Sequence, residues 1–223
     1  MSAMSLSSRE FVHELEEANA RALARIADLS ASGDEKGEIS VRSLLILALK
    51  SELEAVECAA GWISTTPEIK VKVAFARQAG DEAKHYRLIE KRLLELGFDT
   101  ADHDPYAHGR SPLLEYLSGL QGTVARVAAA QFTREELALV RNAEFIRYCR
   151  ARKDEDTARL YEDVIQPDEQ HHHELGRALL LELATTDAAQ AAGRHAAART
   201  LELAEELLEA ARLRSGVTRA PGC

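Results

Sequence analysis

Two segments of this 223-residue chain pair an acid with an imidazole at the same spacing, Glu82-Ala-Lys-His85 and Glu169-Gln-His-His172. In a helix, E-x-x-H puts both side chains on one face. Carboxylate oxygen and imidazole nitrogen together make a donor set for divalent transition metals. Two further glutamates, Glu52 and Glu136, each interrupt an otherwise apolar stripe. Glu52 and Glu82 flank one tight turn, and Glu136 and Glu169 flank another, so in two antiparallel hairpins the four acids meet at one height. Four buried carboxylates cannot stay charged together uncompensated, since each unpaired buried ion costs several kcal/mol. Two divalent cations balance them, and neutral imidazole adds donors without charge. The metal-ligand set read from the sequence is therefore Glu52, Glu82, His85, Glu136, Glu169 and His172. Glu144 is the rival to Glu136, on a stripe that is less apolar and off-centre. Glu10-Phe-Val-His13 has the same spacing but no partner glutamate at hairpin distance.

The elements that must hold these residues read almost entirely as helix. Proline and glycine are scarce (5 and 12) and aromatics are 5%, a mixture that favours helix nearly everywhere. A lead helix covers about residues 7–30 and stops at the polar stretch Ser32–Gly37. Helix A runs over about 40–64. Thr66-Pro67 supplies a hydroxyl and a first-turn proline to start helix B, which ends at Gly97. Residues 98–121 break the pattern. Helix C spans roughly 122–152, residues 153–156 link it to helix D at about 156–184, and residues 187–213 form one more amphipathic helix before a loose tail. Two tight hairpins joined by one long connection describe an all-α four-helix bundle with a long B–C crossover. The bundle takes residues 39–185, with an N-terminal flanking helix and linker (1–38) and a C-terminal helix and tail (186–223).

Stepping by three and four residues gives inward stripes. Helix A contributes Val41, Leu45, Ala48, Glu52, Ala55, Ala59 and Trp62, with Glu54 and Glu57 on its polar side. Helix C contributes Ala125, Ala129, Phe132, Glu136, Leu139, Ala143 and Ile146. Pro167, inside helix D, predicts a kink or bulge beside the acids. His171 and His173 fall outside the ligand spacing. Tyr86 and Tyr161 lie on inward stripes near it.

A net charge of −9 argues against wrapping nucleic acid or lying on an anionic membrane. No stretch is apolar enough for a membrane span or a signal peptide, so the expected location is cytoplasmic. Cys58, Cys149 and Cys223 lack C-x-x-C spacing and form no disulfide framework or iron–sulfur site. Electrons would have to come from an external donor.

The pattern Glu52…Glu82-x-x-His85…Glu136…Glu169-x-x-His172 resembles the ferritin-like di-iron carboxylate superfamily over roughly residues 40–184. Both motifs carry a preceding aspartate, Asp81 and Asp168. The D-E-x-x-H form is similar to that of the oxygen-activating branch, such as bacterial multicomponent monooxygenases, rather than to a storage ferritin. The resemblance implies two iron ions, with manganese or a mixed Mn/Fe pair suiting the same donors. It implies that Glu82 and Glu169 bridge the metals and carry the catalysis. Glu52 with His85, and Glu136 with His172, would each complete one site, and Asp81 and Asp168 would support the histidines from behind. The expected function is a di-iron oxidoreductase that activates O2 to oxidise an organic substrate. The alternatives are a ferroxidase, peroxide-scavenging or iron-handling protein, and a metal-free helical interaction module. Expected partners are O2, an organic small molecule and an electron donor, with a homodimer as one assembly the sequence allows.

Overall fold

The computed structural model describes residues 6–31, 39–215 and 220–222, and every regular element among them is helical. The polar stretch Ser32–Gly37, Cys223 and most of the tail lie outside the described residues. The lead helix is α1 (Ser8–Ala31), and the first hairpin is α2 (Val41–Ile63) against α3 (Ile69–Glu95). Ser40 starts α2 by accepting the Ser43 N–H at 3.1 Å. Gly97, at φ 78°, ends α3 as expected. Phe98 N–H reaches the Leu93 carbonyl at 2.9 Å and Gly97 N–H reaches Leu94 at 3.0 Å, the paired bonds of a Schellman stop. Thr66 does not cap α3. Its hydroxyl donates back to the Trp62 carbonyl at 2.8 Å and closes α2 instead, while Glu68 precedes α3 without a side-chain cap bond.

The crossover carries a short helix, α4 (Pro112–Gly119), capped by Ser111. It is pinned to the face of α2 that reads as polar. Glu54 accepts the Ser111 N–H at 2.8 Å and also its hydroxyl, Glu57 pairs with Arg110 at 2.7 Å, and Lys50 donates to the Gly109 carbonyl at 2.6 Å. Glu54 is thereby buried, so this side of α2 is a docking face rather than a solvated one.

The third bundle helix is α5 (Thr123–Val127), a π segment (Ala128–Arg134) and α6 (Glu135–Ala151). The fourth is α7 (Glu155–Leu160), a second π segment (Tyr161–Ile165) and α8 (Gln166–Leu183). Asp154 caps α7 by accepting the Thr157 N–H at 3.1 Å. The second π segment is the bulge expected from Pro167, which sits in the first turn of α8 and has no N–H for the α ladder. The helix α9 (Asp187–Ser215) runs against α1, α4, α5 and the first π segment. Residues 123–135 are buried without a break as a result. The tail is not loose where it is described: Pro221 and Gly222 are buried and Ala220 packs on the core.

The bundle core has two apolar halves. One gathers Trp62, Phe75, Phe132 and Leu180, and the other Leu45, Ile89, Phe145 and Tyr161. The mid-helix acids lie between them. No helix among the described residues is long and apolar enough to cross a membrane.

Candidate metal centre

Two overlapping groups of buried side chains could each hold a metal ion. Glu52, Glu82, His85 and Glu169 form one, and Glu82, Glu135, Glu169 and His172 the other, with ligand atoms within 4.8 Å of one another in each. Glu82 and Glu169 belong to both. All six residues are at most 4% exposed. The two motifs sit on α3 and α8, related by a local two-fold arrangement. His85 turns Nδ1 inward, 3.2 Å from Glu82 Oε2, 3.4 Å from Glu52 and 3.6 Å from Glu169. His172 turns Nδ1 inward, 3.6 Å from Glu169 Oε2 and 3.8 Å from Glu82 Oε1.

Each histidine reaches backward with Nε2 to the aspartate of the opposite motif. His85 meets Asp168 at 3.0 Å and His172 meets Asp81 at 3.3 Å. Asp168 also pairs with Lys84, which lies between the two aspartates. Burial opposes ionisation of Asp168, but Lys84 and His85 outweigh it and hold the carboxyl below its ordinary range. An ionised Asp168 can only accept, so His85 keeps a proton on Nε2, and Nδ1, which faces Glu82 at 3.2 Å, is the nitrogen that would exchange its proton for a metal.

Three of the inward atoms lack any hydrogen-bond partner among the described residues: Glu82 Oε1, Glu169 Oε2 and His172 Nδ1. The imidazole nitrogen lies 3.6 and 3.8 Å from the two oxygens, too far for hydrogen bonds. Orphaned buried polar atoms cost about 1–3 kcal/mol each, and an ion between them removes that cost. The donor set fits a metal.

The charges point the same way. On protein groups alone, burial pushes Glu169 up to about 8, Glu52 up to about 7, and Glu135 well above the carboxylate range. Glu82 is the exception: burial opposes it, but the His85 hydrogen bond and the charges of His85, His172 and Arg134 hold it down to about 2. Burial also opposes the His85 imidazolium, which Glu52 and Glu82 nevertheless raise to about 12. Protons thus do the neutralising that cations would otherwise do.

The structure brings together Glu52, Glu82, His85, Glu169 and His172 as the sequence predicts, with Asp81 and Asp168 behind the histidines. It does not bring in Glu136 or Glu144. The third bundle helix contributes Glu135, whose carboxylate also accepts Gln78 Nε2 at 2.5 Å. Glu136 points to the lead helix and accepts Asn19 Nδ2 at 2.9 Å. The stripe slips by one residue for two physical reasons. This helix is enclosed on every side before Glu135, so apolarity gives it no direction. The π turns also take in an extra residue, as in the bond from Glu135 N–H to the Ala130 carbonyl. Downstream, the buried face reads Glu135, Ala138, Asn142, Phe145 and Cys149. A polar stripe of Gln131, Glu135 and Asn142 at helical spacing was the available signal.

Tyr161 is fully buried with its hydroxyl unpartnered among the described residues, and burial with the nearby Glu52 and Glu169 charges pushes it well above the ordinary phenol value. Tyr86 is half-buried. His173 bonds the Phe132 carbonyl at 2.8 Å and stacks on its ring, and His13 stays on the exposed surface of α1. Cys58 and Cys149 are free and buried. No protein-family model, curated protein or solved structure matches the chain.

Proposed function

We propose that the chain is an oxidoreductase of the oxygen-activating di-iron carboxylate type, oxidising an organic substrate with O2 and taking electrons from a separate donor. One observation carries this reading. Two buried donor sets, each with one histidine, share Glu82 and Glu169 between them. Shared carboxylates are what a bridged pair of ions requires, and a lone structural ion would need only one set. Glu82 and Glu169 would bridge two iron ions, Glu52 with His85 would complete one position, and Glu135 with His172 the other. Manganese or a mixed pair suits the same oxygen and nitrogen donors. The bound pair would supply redox chemistry and the binding and reduction of O2.

The chain's own groups would then act as follows. Asp168 and Asp81 fix the tautomer and ring orientation of the two histidines through Nε2. The carboxylates hold the site's charge against two cations. The apolar halves on either side, with Phe75 and Phe132 toward one end and Ile89 and Phe145 toward the other, keep bulk water away from the reacting centre. Tyr161, whose phenol is unpartnered among the described residues and feels the Glu52 and Glu169 charges, can donate a hydrogen bond inward.

The test is anaerobic Fe(II) loading followed by 18O-labelled O2, with a reductant and a panel of organic probes. Label in an organic product, with iron oxidation saturating at the bound ions, supports the oxygenase. Rapid turnover of a large Fe(II) excess without organic oxidation would replace it with ferroxidase or iron handling. Failure to bind any metal would leave the helical interaction module.

A further inference from the structure

Beyond the ligands, one segment presses on the centre without being part of the bundle. Residues 220–222 lie along the seam between α2 and α6. Gly222 donates its N–H to Asn142 Oδ1 at 2.8 Å, and Asn142 is fully buried on the stripe that carries Glu135. On the α2 side, a Cβ at Gly222 would sit 3.2 Å from Ser51 Oγ and 3.9 Å from Glu52 Oε1. Ser51 is itself tied through its carbonyl to Arg134 at 3.3 Å. Gly222 has φ 74°, a left-handed conformation that side chains rarely adopt. Ala220 packs on the apolar half that contains Leu45 and Ile89. Gly222 is therefore hydrogen-bonded to the helix that bears Glu135 and lies close against the helix that bears Glu52. A side chain there would be strained by the positive φ and tight against Ser51.

We propose that residues 220–222 are a strap that closes the α2–α6 seam over Glu52 and governs small-molecule access to the metal centre. The proposal rests on the metal reading above only for its functional consequence, because the seam and its covering are features of the fold. Most of the site is walled by continuous helices, whereas the strap is a short non-helical piece that meets the bundle, among the described residues, through the Gly222–Asn142 hydrogen bond and the Ala220 contact. Such a piece opens at far lower cost than a bundle helix. A site that must admit O2 or a substrate while excluding water needs one wall of this kind.

The experiment compares the full chain, a chain lacking residues 216–223, and Gly222→Val in the full chain. The valine introduces a β-branched side chain at positive φ and against Ser51, which expels the strap while altering one residue. Each protein is loaded with Co(II), and the rate of Co(II) removal by EDTA is followed, with helix content and thermal unfolding as controls. Hydrogen exchange of residues 48–55 is measured on the metal-free proteins in parallel. The strap predicts that deletion and Gly222→Val both speed Co(II) release on the order of tenfold and hasten exchange around Glu52, with the bundle still folded. Equal release and equal exchange in all three overturn it. If the full chain binds no Co(II), the metal reading fails by itself, and the exchange rates alone decide the strap: protection in the full chain upholds it, and equal rates overturn it.

Discussion

Replacing Glu135 and Glu136 separately by glutamine tests the one-residue shift of the third helix's ligand from the sequence-predicted Glu136 to Glu135. Glu135 lies in the cluster, and burial keeps its carboxyl protonated on protein charges alone, so an isosteric amide costs the metal-free chain little. Gln78 keeps an oxygen partner at that position, and the expected change in metal-free stability is under about 1 kcal/mol. Glu135→Gln nevertheless removes one carboxylate from the set completed by His172. At a metal concentration about 100 times Kd, one bound ion stabilises the fold by about 2.7 kcal/mol. At about 2–4 °C per kcal/mol for a chain of this size, that is roughly 5–11 °C in Tm. Glu135→Gln should forfeit one such increment and one metal per chain. Glu136→Gln should keep both ions and lose only about 0.5–1.5 kcal/mol from its bond with Asn19, with or without metal. Differential scanning calorimetry with and without Fe(II) or Mn(II), beside metal analysis, reads both variants. Full stoichiometry in Glu135→Gln, or a lost ion in Glu136→Gln, would refute the assignment.

Four further outcomes rest on the same geometry. Glu52 and Glu169 have raised values (about 7 and about 8), as does His85 (about 12), so the metal-free fold holds more protons than the unfolded chain. Its urea midpoint should fall as pH rises from about 5 to about 8, whereas metal-loaded protein should gain over that range because binding displaces those protons; a metal-free midpoint rising over it contradicts the charge argument. Glu82 works in the opposite sense: its lowered value stabilises the fold above about 4.5 and loses that contribution as pH falls toward about 2. Asp168→Asn replaces the acceptor-only carboxylate that orients His85 by an amide that can also donate to Nε2, and should weaken metal binding by about 10–100-fold, measured by competition with a chelator, with helix content unchanged. Gly176→Ala would put a Cβ 2.7 Å from the Gln131 backbone carbon, forcing α8 off the third helix at a cost of about 1–3 kcal/mol in denaturant unfolding; an unchanged midpoint would mean that the two helices are not held so close.

What was legible in the sequence is what depends on local spacing. E-x-x-H places two side chains on a face within one turn whatever the rest of the fold does, and Asp81 and Asp168 are adjacent to those motifs. Glu52 stands out because α2 keeps an unbroken α repeat, so its apolar stripe is continuous through the acid. The third bundle helix defeats the same reading. With α1 and α9 covering it, Ala125, Ala129 and Phe132 are as buried as Ala128 and Gln131, and hydrophobicity no longer marks the inward side. The bulge near Pro167 was foreseeable because proline deletes a specific donor, whereas the π segment at Ala128–Arg134 contains no such residue. Glu54 and Glu57 read as solvated because their partners, Ser111 and Arg110, come from a distant crossover. The burial of Gly222 depends on Asn142 and Ser51, contacts equally remote in sequence.

The central claim is that Glu52, Glu82, His85, Glu135, Glu169 and His172 hold a pair of ions that share two carboxylates. Anaerobic titration of chelator-stripped protein with Fe(II), counted by elemental analysis after desalting, tests it most directly. Two ions per chain, with both lost in Glu82→Ala and in Glu169→Ala, is the predicted result. One ion or none in the folded parent chain, or two retained when either shared glutamate is removed, would contradict it.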